Sequence, residues 1–482
     1  MRSVLENLEP KAVWKYFDLI ANTPRPSTKE EKLRNIIIGE AKRLGLPYEV
    51  DKAGNLVVRK PAAKGRESAP TTALQGHLDM VCEKNEGTPF DFDNDPIDIV
   101  RKGEWLYANG TTLGSDNGIG VAAALAVMES TDIAHPAMEF IFTIDEETGL
   151  TGAAEFAEGV LKSKYFLNLD NEEKGTICIG CAGGVNTKTW TTVKLRAPKQ
   201  SGAYKIKVLG LRGGHSGVDI HLGRGNAVRI LGRALQTVNE KVNLELAELK
   251  GGSAHNAIPR EAWAIVTADT AKEAELKKIV AQFANDMKVD LGSFDPDVQL
   301  SVESVAAPKQ VFEDADARRV VSLIATLHHG ILAMSPDIPG LVQTSTNVAT
   351  VSTNGDRVEI ITSQRSAIAP CRDMAANVIA TISKLAGFEV QHSGGYPGWK
   401  PEPNSDLVKT ARKVSEKVHG HDPKLIAMHA GLECGVIGEK NPGMQMISFG
   451  PQIENPHSPN ERVEIDSVAG FWNMLKALLE AV

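Results

Sequence analysis

The sequence is poor in cysteine. The five cysteines among its 482 residues are Cys82, Cys178, Cys181, Cys371 and Cys434. Five thiols in a chain of this length do not make a disulfide framework, and the one C-x-x-C pair has no second pair that would complete a structural metal site. We therefore expect ordinary buried thiols and a reducing compartment, which predicts a cytoplasmic protein.

Other signals are missing as well. No window approaches about 18 uninterrupted apolar residues, so no transmembrane helix is predicted. The opening MRSVLENLEPKAVWKYF lacks an apolar core followed by a small-residue cleavage site and predicts a helix, not a signal peptide. No P-loop and no strand-linked G-x-G-x-x-G occurs, which argues against a nucleotide cofactor. The formal net charge of −8 argues against nucleic acid or an anionic membrane as a partner.

The length predicts two or more domains, and the apolar patterning indicates their class. Short apolar runs alternate with helical stretches at TALQG (72–76), MEFIFTID (138–145), YFLNLD (165–170) and MQMISFG (444–450). This alternation is typical of a mostly parallel α/β sheet, which binds ligands at the carboxyl ends of its strands. The segment 27–44 opens with a capping-box pattern from Ser27 to Glu30 and stops at Gly45, which predicts a helix.

The middle of the chain has a different pattern. From about residue 204 the order strand, helix, strand, strand, helix is predicted, and from about residue 297 the same order recurs. We therefore expect an inserted α+β domain that is a doubled unit. The predicted bounds are residues 1–188 and 391–482 for the first domain and 189–390 for the insert, with a hinge in SGGYPGWKPEP (393–403).

Side chains that bind divalent metals are concentrated in five short segments. They are GHLDM (76–80), GSDNG (114–118), DEETG (145–149), LDN (169–171) and NPHS (455–458). Each segment alone is compatible with a solvated turn, but solvated turns have no reason to follow buried strands one after another. Imidazole and carboxylate together are the ligand set of catalytic zinc, and a shared carboxylate allows two neighbouring ions.

These motifs, in this order along nearly the whole chain, resemble the two-zinc peptidase family of aminoacylases, succinyl-diaminopimelate desuccinylase and carnosinases. The resemblance implies a zinc-peptidase fold, in which the mostly parallel-sheet domain (1–188 and 391–482) is the catalytic domain and the α+β insert (189–390) is a lid domain. It also implies two zinc ions per chain that cobalt or manganese can replace, and hydrolysis of a peptide bond. Within the family, QGHLDMVCEK, TLGSDNGIG, DEETGL, GLRGGHSGVDIH and ENPHSPNERV are similar to motifs of Xaa-His dipeptidases. Dipeptides with a carboxyl-side histidine, including carnosine-like ones, are the implied substrates.

The resemblance also assigns the metal ligands. It implies that His77 binds one zinc ion and His457 the other, and that Asp116 bridges the two. Glu147 completes the coordination of one ion and Asp170 that of the other.

Two further carboxylates receive catalytic roles from the resemblance. Asp79 accepts the imidazole N–H of His77 and fixes its tautomer. Glu146 binds no metal; it takes a proton from the water between the ions and later passes it to the leaving amine.

The expected substrate-binding residues lie mainly in the insert. By resemblance, His215 stabilises the oxyanion, Arg365 binds the terminal carboxylate, Asn256 contacts the same end, and Gly431 offers backbone close to the substrate. Glu433 is a weaker candidate for binding the substrate amine. The 202 residues of the insert are enough for one half to take the place of a partner subunit, so His215 is expected to act within its own chain.

Three alternatives stay open. The residues fit equally well with an N-acylated amino acid or a tripeptide as substrate, since the metal centre meets the same carbonyl. Arg365 also fits a structural ion pair, and Asn256 fits a turn.

A non-catalytic scaffold is disfavoured because neither Glu146 nor any ligand is missing. The expected partners are small dipeptides, and the sequence leaves a homodimer open.

Overall fold

A computed structural model describes the whole chain, Met1–Val482. The helices are α1 (Lys11–Ala21), α2 (Glu31–Arg43), α3 (Ser115–Glu129), α4 (Glu146–Gly149), α5 (Thr151–Glu155), α6 (Ala227–Asn239), α7 (Glu273–Leu291), α8 (Asp314–Thr326), α9 (Ala369–Leu385), α10 (Asp406–His419), α11 (Glu433–Lys440) and α12 (Ile465–Ala481). No helix is long and apolar enough to cross a membrane.

Strands make up five sheets. The strands are β1 (Tyr48–Val50), β2 (Leu56–Lys60), β3 (Thr72–His77), β4 (Ile99–Lys102), β5 (Trp105–Ala108), β6 (Met138–Thr143), β7 (Tyr165–Asn168), β8 (Thr176–Cys181), β9 (Gly183–Thr192), β10 (Leu195–Arg196), β11 (Gly202–Leu209), β12 (Gly214–His215), β13 (Glu245–Gly251), β14 (Ala257–Ile258), β15 (Ala262–Ala268), β16 (Gln299–Ser304), β17 (Val311–Phe312), β18 (Gly330–Met334), β19 (Val342–Asn354), β20 (Arg357–Ser366), β21 (Glu389–Tyr396), β22 (Lys424–Met428), β23 (Gln445–Ser448), β24 (Ile453–Glu454) and β25 (Arg462–Glu464).

The chain divides into two compact units. The first contains residues 1–180, 399–427 and 432–482, and the second contains residues 181–398 and 428–431. The crossings at 180/181 and 398/399 lie eight residues from the expected boundaries at 188/189 and 390/391. The short segment 428–431 belongs to the second unit although the chain on both sides of it belongs to the first.

The first unit has an eight-stranded sheet of order β1-β2-β6-β3-β7-β23-β8-β22. Its four central strands, β6, β3, β7 and β23, are parallel. They contain the four apolar runs that predicted a parallel sheet, and that prediction is confirmed. Strands β3 and β6 are buried along their whole length, as in a sheet covered on both faces. Antiparallel pairs β1–β2, β2–β6 and β8–β23 flank this parallel centre.

The second unit is built on a nine-stranded antiparallel sheet. All ten elements of the predicted recurring order are present, from β11, α6, β13, β15 and α7 to β16, α8, β19, β20 and α9. The strand pairing in the sheet is not that of a simple duplication. Strand β16 pairs with β11, and β20 pairs with β9 over ten residue pairs. Apolar residues of helices α6–α9 and of this sheet form one buried core.

The helix predicted for residues 27–44 is shorter than expected. It begins at Glu31, and Ser27 does not cap it. The Ser27 hydroxyl instead donates to Oδ2 of Asp79 at 2.7 Å, and the Glu30 carboxylate accepts the N–H of Thr28 and of Asp145. The capping-box prediction is wrong because these two polar side chains hydrogen-bond to the loops that follow β3 and β6.

Candidate functional site

One edge of the eight-stranded sheet carries most of the predicted ligands. His77 is the last residue of β3, Asp170 follows β7 by two residues, and Glu146 and Glu147 begin α4 just after β6. Because β3, β6 and β7 are parallel, their carboxyl ends meet at the same edge. The sheet therefore brings together side chains that are up to 93 positions apart in the chain.

Asp116 reaches this edge from the start of α3. A single buried carboxylate holds its loop, since Glu461 accepts the backbone N–H groups of Leu113, Gly114 and Ser115 at 2.7–2.9 Å. The buried guanidinium of Arg25 donates to the carbonyl oxygens of Gly114 and Leu78 at 2.5 and 2.9 Å. Arg25 thereby ties the Asp116 loop to the loop that follows His77.

The predicted ligands form two groups that share Asp116. Its Oδ1 lies 3.0 Å from Nε2 of His77, and its Oδ2 lies 3.2 Å from Nε2 of His457. Asp170 completes the first group at 3.4 Å from His77 Nε2, and Glu147 completes the second at 3.0 Å from His457 Nε2. In each group one oxygen or nitrogen of every member lies within 4.8 Å of the others, close enough to hold one metal ion.

The charges of these residues fit divalent cations. Burial, together with the neighbouring Asp116 and Glu147, raises the pKa of the Asp170 carboxyl to about 7 despite the contact with His77. Asp116 and Glu147 raise the pKa of His457 to about 11. One buried oxygen of Glu147, Oε1, has no hydrogen-bond partner. A bound cation stabilises carboxylates that are crowded together and have an oxygen without a hydrogen-bond partner.

Asp79 lies beside His77 as predicted. Its Oδ1 is 3.3 Å from Nδ1 of His77, and it accepts the backbone N–H groups of Glu146 and Glu147. Although burial opposes ionisation, these contacts and the Ser27 hydroxyl keep the pKa of Asp79 at about 2. Asp79 is therefore an anion beside the imidazole of His77, and its hydrogen bonds hold the backbone at the start of α4.

Glu146 lies next to the predicted ligands, with a carboxylate oxygen within 4.8 Å of ligand atoms of His77 and Glu147. Burial raises the pKa of its carboxyl well above the ordinary value, and the nearby Asp170, Glu433 and Glu147 act in the same direction. A carboxyl group with a raised pKa is suited to accept and return a proton.

The second unit holds a separate polar cluster around Arg365. This guanidinium is 6% exposed, its partners are the neutral hydroxyls of Tyr396 and Ser216, and its Nε has no partner. No carboxylate pairs with it, so the alternative of a structural ion pair is not supported. An uncompensated buried cation favours an anionic ligand.

His215 belongs to the same cluster. Its Nδ1 accepts the backbone N–H groups of Gly217 and Val218 at 3.3 and 3.0 Å. Burial lowers the pKa of His215, and the charge of Arg365 lowers it further. The ring is therefore neutral near pH 7 with its proton on Nε2, where it can be donated to a ligand.

Of the remaining predicted substrate residues, Asn256 and Gly431 belong to the second unit and lie near this cluster, whereas Glu433 belongs to the first unit. Asn256 is exposed, and its backbone carbonyl accepts the N–H of Ser216, while no hydrogen bond involves its side chain. A Cβ atom on Gly431 would lie 2.9 Å from the ring of Tyr396. Glu433 is 1% exposed and accepts hydrogen bonds from Gln75 and Thr143 at 2.6 and 2.8 Å, which connects α11 to β3 and β6.

The sequence analysis did not identify several residues that support the candidate site or lie in the Arg365 cluster. Arg25, Glu461 and Ser27 support the metal-ligand loops, and Tyr396 and His429 lie in the Arg365 cluster. His429 contacts Ser345 Oγ at 2.7 Å, and burial lowers its pKa to about 3, with a further effect of Arg365 and His215. Glu461 stands in the motif ENPHSPNERV, so its position after His457 was the one signal that could have found it.

Known proteins are similar to this chain over almost its whole length. A model of peptidase family M20/M25/M40 matches residues 73–481. The chain is 38% identical to the cytosol non-specific dipeptidase of Escherichia coli (strain K12) over 481 residues, which cover 100% of this chain and 99% of that protein.

Solved structures show the same similarity. The crystal structure of aminoacylhistidine dipeptidase from Vibrio alginolyticus matches with a TM-score of 0.93 and 40% identity, over 100% of this chain and 98% of that one. Aminopeptidase PepT from Bacillus cereus matches with a TM-score of 0.58 and 17% identity, over 98% and 99% of the two chains, and shares the fold.

Proposed function

This chain belongs to peptidase family M20/M25/M40, and we propose that within the family it is a dipeptidase that uses two zinc ions. The observation that carries the proposal is the pair of ligand groups that share Asp116. Their nitrogen and oxygen donors suit zinc, and cobalt or manganese suits the same donors. The residues that would hold the ions are His77, Asp116, Glu147, Asp170 and His457.

The ions would supply Lewis-acid chemistry, which polarises a carbonyl and lowers the pKa of water. The chain's own residues carry the proton transfers. Glu146 accepts a proton from the attacking water and returns it to the leaving amine. Asp79 keeps the imidazole of His77 in one tautomer and, through the N–H groups of Glu146 and Glu147, fixes the backbone at the start of α4.

We assign the Arg365 cluster to the carboxylate end of the substrate. A planar guanidinium binds a carboxylate through two parallel hydrogen bonds, and the absence of a protein counter-ion leaves Arg365 available for this role. His215 donates its Nε2 proton to the carbonyl oxygen as negative charge develops there. Asn256 and Gly431 remain candidates for contacts at the same end.

Dipeptides are proposed because both full-length relatives are named as dipeptidases. The two names differ in breadth, one being non-specific and the other specifying aminoacylhistidine. We propose that Xaa-His dipeptides, including carnosine-like ones, are among the substrates. The name of the Escherichia coli relative supports a cytoplasmic location, which the low cysteine content also favours.

The test is a substrate panel combined with elemental analysis. Purified protein is assayed for zinc, and its turnover is measured on Xaa-His dipeptides, other dipeptides, tripeptides and N-acylated amino acids. The proposal expects bound zinc and turnover of dipeptides well above the other classes. If the protein prefers N-acylated amino acids or tripeptides, that class would replace dipeptides as the proposed substrates. Full activity in metal-free protein would overturn the mechanism.

A further inference from the structure

Tyr396, at the end of β21, is held tightly against the Arg365 cluster. Nη1 of Arg365 donates to its phenol oxygen at 2.6 Å, and Nη1 of Arg372 donates to its backbone carbonyl at 2.9 Å. Its ring lies against two glycines, where a Cβ atom would come within 2.6 Å of the ring at Gly184 and 2.9 Å at Gly431. The ring and the phenol oxygen are therefore fixed by Arg365 and the two glycines, and the backbone of Tyr396 is fixed by Arg372.

The phenol proton has no acceptor in the protein. A guanidinium can only donate, so the oxygen of Tyr396 accepts from Arg365 and keeps its own O–H for another partner. Burial raises the pKa of Tyr396 above its ordinary value, although Arg365 acts in the opposite direction. The hydroxyl is thus protonated near pH 7, and the residue is only partly buried.

We propose that Tyr396 is the second member of a carboxylate clamp: its phenol oxygen fixes the fork of Arg365, and its O–H donates to the terminal carboxylate of the substrate. This inference rests on the proposed function, because it takes a substrate with a free carboxylate as the ligand of Arg365. It makes Tyr396 a determinant of specificity for free acids over amides. An amide end group has no negative charge to share between a guanidinium and a phenol.

The experiment compares two ligands that differ only at this end. The probes are a dipeptide whose peptide carbonyl is reduced to a methylene, as the free acid and as the C-terminal amide. Their affinities for the zinc-loaded wild type and for Tyr396→Phe are measured by calorimetry, and kcat and KM are measured on the best dipeptide substrate. Phenylalanine keeps the ring between the glycines and removes only the hydroxyl.

We expect the wild type to bind the acid more tightly than the amide. Tyr396→Phe should weaken acid binding about 10- to 100-fold, the usual effect of losing hydrogen bonds to charged groups, and should leave amide binding within about twofold. KM for the dipeptide should rise by a similar factor, with kcat changed far less.

A matched control separates this role from general packing. Tyr204 of the same unit is buried, and its hydroxyl donates to Glu273 at 3.2 Å, so Tyr204→Phe removes a comparable hydrogen bond away from the cluster. It should leave both affinities unchanged. Unchanged acid affinity in Tyr396→Phe, or equal losses for acid and amide, would overturn the clamp. A wild type that binds acid and amide equally would instead contradict the assignment of Arg365 and, with it, the clamp.

Discussion

Glu461 accepts two hydrogen bonds from Ser115, one from the backbone N–H at 2.7 Å and one from the hydroxyl at 2.6 Å, across 346 positions of the chain. The same carboxylate accepts the N–H groups of Leu113 and Gly114. All these donors lie in the three residues before Asp116, the residue shared by both ligand groups. Glu461 thus positions the central carboxylate of the site without being a ligand itself.

Glu461→Gln should therefore weaken metal binding. The amide places an N–H₂ group where the loop offers only donors, so the loop that carries Asp116 loses its fixed position. Loss of such a supporting group typically costs about 10- to 100-fold in metal affinity. Metal content after dialysis against graded chelator concentrations gives the affinity. Glu464→Gln, which changes a carboxylate paired with the surface Lys174, is the control and should retain its metal. Equal retention by both variants would show that Glu461 has no such role.

Glu146→Gln should separate metal binding from turnover. The amide cannot accept a proton, while the ligand set is untouched, so we expect zinc content to stay at the wild-type level. Turnover should fall by about 10²- to 10⁴-fold or more, the range typical of general acid–base groups. Glu155→Gln, an exposed carboxylate on the neighbouring α5, should remain active. Wild-type turnover in Glu146→Gln would remove this residue from the mechanism.

The sequence could predict that His77, Glu147 and Asp170 lie together, because each lies at the end of a short buried strand or within a few residues of it. Parallel strands bring such ends to one edge of the sheet. Asp116 and His457 do not follow these strands, and only the family resemblance grouped them with the other three. The family resemblance, which rests on those local motifs, is confirmed by the match over residues 73–481.

The supporting residues could not be predicted because their contacts are long-range. Arg25 and Glu461 bind backbone groups, and no pattern of neighbouring residues marks which distant loop a buried charge will reach. Ser27 satisfied a helix-capping pattern, yet its hydroxyl bonds to Asp79. Tyr396 lies in a Gly/Pro-rich segment interpreted as a hinge, and only the fold shows that its ring packs on Gly184 and Gly431.

Metal removal should abolish activity, and re-addition should restore it. Zinc, cobalt and manganese are all expected to reactivate the chelated protein, because mixed nitrogen and oxygen donors discriminate imperfectly among them. His77→Ala and His457→Ala remove one ligand each from different groups, so each should lower the zinc content from two ions per chain towards one. His419→Ala changes an exposed imidazole outside the ligand groups and should bind zinc as the wild type does. Undiminished zinc in either ligand variant would remove that histidine from the site.

Lys60 predicts a pH dependence of stability that is independent of the metal site. Its amine donates to the carbonyl oxygens of Val127 and Ser130 at 2.9 and 2.6 Å. Burial lowers its pKa from 10.5 to about 8, although the charge of Asp132 acts in the opposite direction. Between these two values the unfolded chain keeps the proton that the folded chain has released. The unfolded state then binds more protons, so the contribution of Lys60 to stability rises as the pH increases from 8 towards 10.5.

The variant Lys60→Met tests this contribution, because methionine keeps an unbranched side chain without a titrating group. Urea unfolding midpoints of wild type and variant are compared at a pH below 8 and at a pH close to 10.5. The wild type should gain stability relative to Lys60→Met at the higher pH, whereas Lys64→Met, at an exposed lysine four residues later, should follow the wild type at both. If the wild type gains no stability relative to Lys60→Met between the lower and the higher pH, or loses some, the folded protein keeps Lys60 charged over this range.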